Sequence, residues 1–235
     1  MGKLGVIIVA AGKGKRMGSS ESKQFLPLGD KPILVHTLEV FQQMDEVDAM
    51  ALVVSEEQRI RCSGYLERYG LHKVKAIAAG GKERQESVYR GIRALEAMGM
   101  EWVLVHDGVR PLVRPEKIRA CWQQARDKGA AVLAVPVFDT IKVVDASGQI
   151  VSTPDRKSLW AMQTPQAFRL SDLKRAHERA MEEGYEGTDD AALAERINMP
   201  VFVVEGDYDN IKITTPEDLK WAQYVLNERL GGEGS

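Results

Sequence analysis

A glycine-rich segment near the amino end carries residues that could bind and polarise phosphate groups. An apolar run from Val6 to Ala10 leads directly into small residues and glycines that extend to Gly18. Glycine lets the backbone approach a ligand closely, and exposed backbone N–H groups can bind oxyanions. The cations in or just after this segment are Lys13, Lys15, Arg16 and Lys23. Together these features predict a site for a polyphosphate, typically the triphosphate of a nucleotide.

Two common phosphate-binding motifs do not match this segment. The dinucleotide fingerprint G-x-G-x-x-G requires glycine where the chain has Met17, and it requires an acidic residue about 20 positions later, at the end of a second strand. The P-loop G-x-x-x-x-G-K-[ST] fails because only three residues separate Gly14 from Gly18, and Ser19 follows. The remaining pattern, A-A-G-x-G-x-R-M-G followed by K-Q, leaves two interpretations open: a nucleotide loop, or an ordinary strand-to-helix turn with a solvated basic face.

Three cations and two carboxylates are the candidates for nucleotidyl transfer, which depends on positioning and on positive charge around the reacting phosphorus. The Arg16 guanidinium can hold two phosphate oxygens, and the Lys23 ammonium supplies a point charge. Asp107 directly follows a predicted strand, where a carboxylate facing a triphosphate could hold Mg²⁺. Asp209 is either a second metal contact or a turn residue, and Lys212 either binds a second anionic substrate or is solvated.

The histidines form neither a catalytic triad nor a metal-ligand spacing. His36 and His177 lie in predicted helices, and we interpret His106 as packing beside the end of a strand rather than acting as a base. A phosphate monoester is already anionic at neutral pH, so its attack on phosphorus requires no general base.

Composition and charge limit the classes of protein to which this chain can belong. The 235 residues fit one large α/β domain, which we assign to residues 1–230, with a disordered tail at 231–235. The formal net charge of −2 gives no reason to expect nucleic acid or an anionic membrane as a partner. No apolar run reaches the roughly 18 residues of a membrane span. Cys62 and Cys121 are scattered, which indicates a reducing, cytoplasmic location.

Apolar runs alternate with amphipathic stretches through Val135. This alternation predicts an α/β protein with a Rossmann-like, doubly wound, mostly parallel sheet. The predicted strands are Leu4–Ala10, Ala49–Val54, Val74–Ala78, Trp102–Val105, Ala131–Val135 and, later in the chain, Val201–Val204. Ligands of such sheets bind outside the carboxyl ends of the strands. The segments 11–18, 80–87 and 107–110 all follow predicted strands, so we expect the site to lie there.

The alternation of strands and helices breaks after Pro136. The stretches Phe138–Asp145 and Gln149–Thr153 flank Ser147-Gly148, a pattern typical of a β-hairpin. We predict that residues 137–158 form a projecting arm. Its apolar residues favour a dimer-forming role, and a solvated flap is the alternative.

Short blocks occur along the chain in an order specific to one enzyme family. They are A-A-G-x-G-x-R-M-G with Lys23-Gln24, G-G-x-E-R at 80–84 followed by Ser87, V-H-D-G-V-R-P at 105–111, Asp139-Thr140, T-P-Q at 164–166, T-D-D at 188–190 and D-N-I-K-I-T-T-P-E-D at 209–218. From Ile7 to about Leu226 the chain resembles the 2-C-methyl-D-erythritol 4-phosphate cytidylyltransferases of the non-mevalonate isoprenoid pathway.

The resemblance implies that CMP is transferred from CTP to the phosphate of 2-C-methyl-D-erythritol 4-phosphate with Mg²⁺, giving 4-diphosphocytidyl-2-C-methyl-D-erythritol and pyrophosphate. It implies that Arg16 and Lys23 stabilise the pentavalent transition state and that Asp107 belongs to the metal site. The residues implied to bind the nucleotide are Ala10, Ala11, Gly12, Gly14, Gly81 and Ser87. Those implied to hold the methylerythritol phosphate are Arg156, Lys212 and Thr140, and the arm would carry Arg156 and Thr140 into the neighbouring subunit's site in a homodimer.

Two alternative functions stay open at the level of sequence. A sister cytidylyltransferase acting on ribitol 5-phosphate would share the fold and most of the blocks, and it differs mainly around Arg156 and residues 210–212. A non-catalytic nucleotide-binding regulator would bind CTP without releasing pyrophosphate, although the presence of both Arg16 and Lys23 argues against it.

Overall fold

A seven-stranded β-sheet forms the centre of the computed structural model, which describes residues 2–12 and 21–232 of the chain. The strands are β1 (Leu4–Val9), β2 (Pro27–Leu28), β3 (Lys31–Pro32), β4 (Ala49–Val54), β5 (Val74–Ala79), β6 (Trp102–Asp107), β7 (Ala130–Pro136), β8 (Val143–Val144), β9 (Ile150–Ser152), β10 (Trp160–Arg169) and β11 (Phe202–Glu205). The helices are α1 (Ile33–Gln42), α2 (Arg59–Arg68), α3 (Arg84–Ala97), α4 (Pro115–Lys128), α5 (Leu170–Glu182), α6 (Asp190–Arg196) and α7 (Pro216–Gly232). The predicted site residues Gly14 and Arg16 lie outside the described residues.

The strands of the large sheet pair in the order β11-β7-β10-β6-β1-β4-β5. All neighbouring strands are parallel except that β10 runs antiparallel to both β6 and β7. This arrangement confirms the predicted α/β class and the mostly parallel, doubly wound sheet. Each of the apolar runs predicted to be strands forms one, and Ala49–Val54 has the predicted bounds.

The central strand β10 has no counterpart in the sequence-based prediction. It contains Pro165 between polar residues, a pattern that argues against a central strand because proline cannot donate to the hydrogen-bond ladder. The structure accommodates it through a break in the pairing of β10 with β7 between Met162 and Gln166. The strand therefore brings polar side chains into the middle of the sheet.

Two apolar clusters cover opposite faces of the sheet. Alternate residues of a strand point to opposite faces, so Val6 and Ile8 of β1 join one cluster and Ile7 joins the other. The first cluster takes buried residues from α1, α2 and α4, and the second takes them from α3 and α5. This layering leaves the carboxyl ends of the strands as the edge at which a ligand can enter.

The arm is exposed, and its strands are shorter than predicted. Only β8 and β9 pair along it among the described residues, joined by a turn in which Gly148 has a positive φ of 88°. No strand of the large sheet pairs with this hairpin in the described part of the chain, and a backbone hydrogen bond from the Val137 N–H to the Leu159 carbonyl at 3.0 Å joins the two sides of the arm at its base.

The last helix, α7, packs against residues that follow β6 and β11. Val109 and Ile213 pack with Ala222 and Val225 of α7 in a third apolar cluster. The helix continues through Gly232, two residues into the stretch predicted to be a disordered tail, and residues 233–235 are outside the described part of the chain. None of the helices among the described residues is long and apolar enough to cross a membrane.

Candidate active site

A cavity of about 300 Å³ opens at the carboxyl ends of β1 and β6. It is lined by Val9, Ala10, Ala11, Gly12, Lys23, Gln24, Glu83, Arg84, Ser87, Asp107, Val109, Lys212 and Thr214. Residues from five separate segments of the chain meet here, because parallel strands end at the same edge of a sheet. The structure thus brings together most of the site residues that the sequence predicted: Ala10, Ala11, Gly12, Lys23, Ser87, Asp107 and Lys212.

The loop after β5 packs tightly against the residues that follow β1. A Cβ atom added at Gly80 would lie 2.3 Å from the Cβ of Ala11, so only glycine permits this approach. The Gly81 N–H donates to the Ser87 Oγ at 3.0 Å, and the Ser87 hydroxyl donates to the Glu83 carbonyl at 3.0 Å. Gly81, which does not itself line the cavity, thereby helps to fix Ser87 at the cavity wall.

Lys23 and Gln24 join the first loop to two other parts of the site. The Lys23 Nζ donates to the Ile213 carbonyl at 2.9 Å, next to Lys212. The Gln24 Nε2 donates to the Ala10 carbonyl at 2.7 Å, and this amide is buried. These contacts place the Lys23 ammonium at the cavity that the end of β1 also lines.

Three cations surround the buried carboxylate of Asp107. The Lys212 Nζ lies 3.1 Å from Oδ2, the Arg110 Nε lies 3.4 Å from Oδ2, and the Arg84 Nε lies 3.7 Å from Oδ1. Burial alone would raise the pKa of Asp107, but the charges of Lys212, Arg84 and Arg110 outweigh it and hold the pKa well below its usual range. The cluster carries an excess of positive charge, which suits the binding of phosphate groups.

A second cavity of about 300 Å³ adjoins the first across this cluster. It is lined by Arg84, Asp107, Arg110, Met162, Gln163, Thr164, Gln166, Thr188, Asp189 and Lys212. Arg84, Asp107 and Lys212 line both cavities. The wall between the two cavities therefore consists of charged side chains, and a group bound on each side would face the other across them.

Sequence reasoning assigned no role to Arg84, Arg110, Gln163 or Thr164. Arg84 and Arg110 each end or belong to a block that the sequence analysis quoted, so their positions were visible but their convergence on Asp107 was not. Gln163 and Thr164 lie on the strand that the prediction lacked. Thr164 begins the T-P-Q block, but nothing in the sequence predicted that it and Gln163 lie beside the end of β6.

Hydrogen bonds from β10 hold the loop that carries Lys212. The buried Asn210 Nδ2 donates to the Gln163 Oε1 at 3.0 Å and to the Thr164 carbonyl at 2.9 Å. The Arg110 Nη1 donates to the Asn210 carbonyl at 2.6 Å. Because Asn210 is two residues before Lys212, these bonds fix the approach of the Lys212 ammonium to Asp107.

His106 packs beside the end of β6, as predicted from the sequence. Its Nε2 lies 3.1 Å from the Arg110 carbonyl, which can only accept, so the proton is on Nε2 and Nδ1 accepts from the Thr164 hydroxyl at 3.0 Å. The Thr164 Oγ1 in turn accepts from the Asp107 N–H at 3.1 Å. Burial lowers the pKa of His106 to about 4. The imidazole is therefore neutral at pH 7 and orients Thr164.

Four predicted site residues among the described residues line neither cavity: Gly81, which supports Ser87, and Asp209, Thr140 and Arg156. Asp209 lies 3.7 Å from an Arg229 nitrogen and 3.9 Å from an Arg114 nitrogen, in a separate surface groove beside α7. Thr140 and Arg156 are exposed on the arm, where the Arg156 Nη1 donates to the Phe138 carbonyl at 2.8 Å. The structure brings Asp107 and Lys212 together at the wall of both cavities, whereas Asp209 lines neither cavity.

Comparison with known proteins identifies the family of this chain. The family model described as 2-C-methyl-D-erythritol 4-phosphate cytidylyltransferase matches residues 4–228. The chain belongs to this family. Among curated members of the family, the protein of Geobacillus kaustophilus is 51% identical over 95% of this chain and 97% of its own length. The protein of Alkaliphilus metalliredigens is 50% identical over 98% of this chain and 96% of its own length.

Solved structures of methylerythritol phosphate cytidylyltransferases share the fold. The 4-diphosphocytidyl-2C-methyl-D-erythritol synthase of Anaerococcus prevotii has a TM-score of 0.84 to this chain at 32% identity, and 96% of each chain is covered. The Thermus thermophilus enzyme has a TM-score of 0.75 at 31% identity, covering 94% of this chain and 98% of that one. These findings confirm the family resemblance and the nucleotidyltransferase class, and they do not favour the ribitol phosphate or regulator alternatives.

Proposed function

We propose that this protein transfers CMP from CTP to the phosphate of 2-C-methyl-D-erythritol 4-phosphate and releases pyrophosphate. The observation that carries the proposal is the wall of Arg84, Asp107 and Lys212 that the two cavities share. A nucleotide in the first cavity and an alcohol phosphate in the second would present their phosphates to the same cations. The phosphates of the two substrates repel each other, and shared cations reduce this repulsion so that they can react.

The first cavity is the proposed nucleotide site. Ala10, Ala11 and Gly12 offer backbone groups at the end of β1, and Ser87 offers a fixed hydroxyl on the opposite wall. Gly81 supports Ser87. The proposed roles of Gly14 in nucleotide binding and of Arg16 in the transition state fall on residues outside the described part of the chain. Lys23 would place its ammonium beside the triphosphate, where it offsets the charge that develops on the α-phosphorus.

The second cavity is the proposed site of the alcohol phosphate. In the reaction, an oxygen of this phosphate forms a bond to the α-phosphorus of CTP, and the bond to the β-phosphate breaks in line as pyrophosphate leaves. Lys212 and Arg84 lie where the attacking phosphate would approach. Since that phosphate is already anionic, the neutral and fully hydrogen-bonded His106 is not required as a base.

The Asp107 carboxylate is suited to be the protein ligand of a Mg²⁺ ion. In the described part of the chain, no group of three or more His, Cys, Asp or Glu side chains is arranged to hold a metal. Mg²⁺ in phosphoryl transfer sites is held by one or two carboxylates together with substrate phosphates, so one carboxylate at the shared wall suffices. Asp107 Oδ1, whose contact with Arg84 is the longer one at 3.7 Å, is the proposed ligand. When bound, the ion would draw the triphosphate oxygens together and offset their charge. Asp209 stays a proposed second metal contact, although it lines neither cavity and lies beside Arg114 and Arg229.

The arm is the proposed dimer contact. Phe138 is 68% exposed and Val151 is 64% exposed, and neighbouring apolar residues of the arm are exposed as well. A second copy of the chain would cover this apolar surface. Pairing through the arm would also bring Thr140 and Arg156 to the second cavity of the partner, which they do not reach in their own chain.

We also propose that the protein works in the cytoplasm. Cys62 and Cys121 are both free and buried, and burial raises the pKa of their thiols to about 11 and about 12. Unpaired, protonated thiols suit a reducing compartment.

The test presents the purified protein with CTP, Mg²⁺ and one of two alcohol phosphates, and measures pyrophosphate release. We expect turnover with methylerythritol phosphate and a kcat/KM for ribitol 5-phosphate lower by on the order of 10²-fold. The Lys23→Ala variant, prepared in the same way, controls for a contaminating activity. A preference for ribitol 5-phosphate, or CTP binding without pyrophosphate from either substrate, would contradict the proposal.

A further inference from the structure

The Arg84 guanidinium is held between two carboxylates. Its Nη1 donates to the Asp190 Oδ2 at 2.8 Å, and its Nε lies 3.7 Å from the Asp107 Oδ1. Arg84 is also one of the residues that line both cavities. A planar guanidinium can grip oxygens in a fixed geometry only when its own orientation is fixed. The group that orients Arg84 is therefore important for both substrates.

Asp190 is the residue placed to do this, although it lines neither cavity. It is the first residue of α6 and is only 1% exposed. Burial alone would raise the pKa of Asp190, but the charge of Arg84 and a hydrogen bond from His177 hold it below its usual value. A charged, buried carboxylate thus holds Arg84 without itself lining either cavity.

His177 fixes the orientation of Asp190 in turn. This imidazole on α5 is fully buried, and its Nε2 lies 3.0 Å from the Asp190 Oδ1. Its Nδ1 has no hydrogen-bond partner among the described residues, so the proton belongs on Nε2, which donates to Asp190. The Tyr89 ring stacks on the imidazole with centroids 6.2 Å apart. Tyr89 lies on α3, the helix that begins with Arg84.

We propose that Asp190, oriented by His177, is a positioning residue that fixes the Arg84 guanidinium on the wall between the two cavities. The inference rests on the proposed function, because it assigns Arg84 to the phosphates of that reaction. The competing interpretation is that Asp190 and His177 only join α3, α5 and α6. The two interpretations differ in whether the effect of Asp190 on the reaction depends on Arg84.

A double-mutant cycle on the full chain separates them. The parent, Arg84→Ala, Asp190→Asn and the double variant are compared by pyrophosphate release from CTP and methylerythritol phosphate. We expect Arg84→Ala to lower kcat/KM about 100-fold and Asp190→Asn about tenfold. The double variant should then lie within about twofold of Arg84→Ala, because a positioning residue has nothing left to position. Independent losses that multiply would overturn the proposal.

A control and a second variant keep the result interpretable. Asp48→Asn removes a carboxylate that accepts from the Leu4 N–H at the other end of the sheet, and it should leave kcat/KM unchanged in either background. If Asp190→Asn does not fold, His177→Phe replaces it in the same cycle, with a loss of a few fold that again disappears with Arg84→Ala.

Failure of the proposed function would show itself separately. A parent that releases no pyrophosphate from these substrates contradicts the function, and the cycle is then measured as affinity for CTP by titration calorimetry. A weaker affinity in Asp190→Asn that disappears without Arg84 supports the positioning role. An effect of the same size in both backgrounds, or no effect on affinity in either, overturns it.

Discussion

The Lys212 ammonium lies 3.1 Å from the Asp107 Oδ2 at the wall between the two cavities. Asp107 ends β6, whereas Lys212 belongs to the segment before α7, so the pair joins distant parts of the chain. Arg84 and Arg110 contact the same carboxylate. Asp107 therefore anchors the cations that the proposed reaction uses, and a change at this residue affects all of them together.

Replacing Lys23 by alanine tests the proposed contact with the reacting phosphorus. We expect kcat to fall roughly 10²- to 10³-fold, the usual loss for one transition-state contact, with a smaller change in KM for CTP. Lys31→Ala is the matched control, because Lys31 pairs with Glu39 at 2.8 Å and does not line either cavity. Pyrophosphate release is the measurement, and turnover of Lys23→Ala at the parent rate would show that the assignment is wrong.

The lowered pKa of Asp107 predicts how the free energy of unfolding depends on pH in the acid range. Its folded-state pKa is lowered, so its contribution to the free energy of unfolding is fully present above the ordinary carboxyl pKa of about 4 and is lost as the pH falls further. The parent should therefore lose its stability advantage over Asp107→Asn only below about pH 4. Urea unfolding at a series of pH values measures this, and an advantage that already disappears between pH 7 and pH 5 would contradict the cation cluster.

The lowered pKa of His106 predicts a second change in the free energy of unfolding, at higher pH. The pKa of His106 is lowered to about 4 in the folded protein, whereas an unfolded histidine titrates near 6.5. The unfolded state therefore takes up the proton first, and the free energy of unfolding should fall by about 3 kcal/mol as the pH decreases through this window. Comparing urea unfolding at pH 7.5 and 4.5, we expect a smaller difference in His106→Gln.

The control for that experiment is the exposed His72. The His72→Gln variant measures what a histidine-to-glutamine change at the surface does to the pH dependence, and the effect of His106→Gln is compared with it. An unchanged dependence in His106→Gln would mean that His106 is not the buried group that titrates.

Mixing two inactive variants tests whether the arm completes the partner's site. In a heterodimer of Lys23→Ala and Arg156→Ala subunits, the site with an intact Lys23 would receive an intact Arg156 from the other chain. Random exchange should restore about a quarter of the parent activity, because half the dimers are mixed and each has one complete site. Pyrophosphate release before and after exchange measures this. Exchange without recovery, in a dimer verified by sedimentation, would place Arg156 in its own chain's site, and an active Arg156→Ala dimer would place it outside the site.

The arm itself can be removed as an independent check. Deletion of residues 138–153 removes the exposed apolar surface, and we expect a monomer with little activity. A dimer that persists in sedimentation after this deletion would contradict the proposed contact.

Much of the fold was predictable from the sequence, and the exception is informative. Apolar runs such as Ala49–Val54 are buried on both faces, so their pattern alone indicates parallel strands. The strand β10 gave no such pattern, because Gln163, Thr164 and Gln166 are polar. Their burial is possible only because distant residues satisfy them: the Gln166 Nε2 donates to the Asp189 Oδ2 at 2.8 Å, for example. Those partners cannot be read from a local window.

The sequence by itself determined the family, the sheet and the end of the sheet at which the two cavities open, because these follow from apolar periodicity and from blocks that are contiguous in the chain. It also identified Lys23, Asp107 and Lys212 as individual candidates. Only the tertiary structure decided that Arg84 and Arg110 join them, and that Asp209 pairs with Arg114 and Arg229 instead. Charge pairing depends on distances between side chains that are far apart in sequence, and only the folded chain sets those distances.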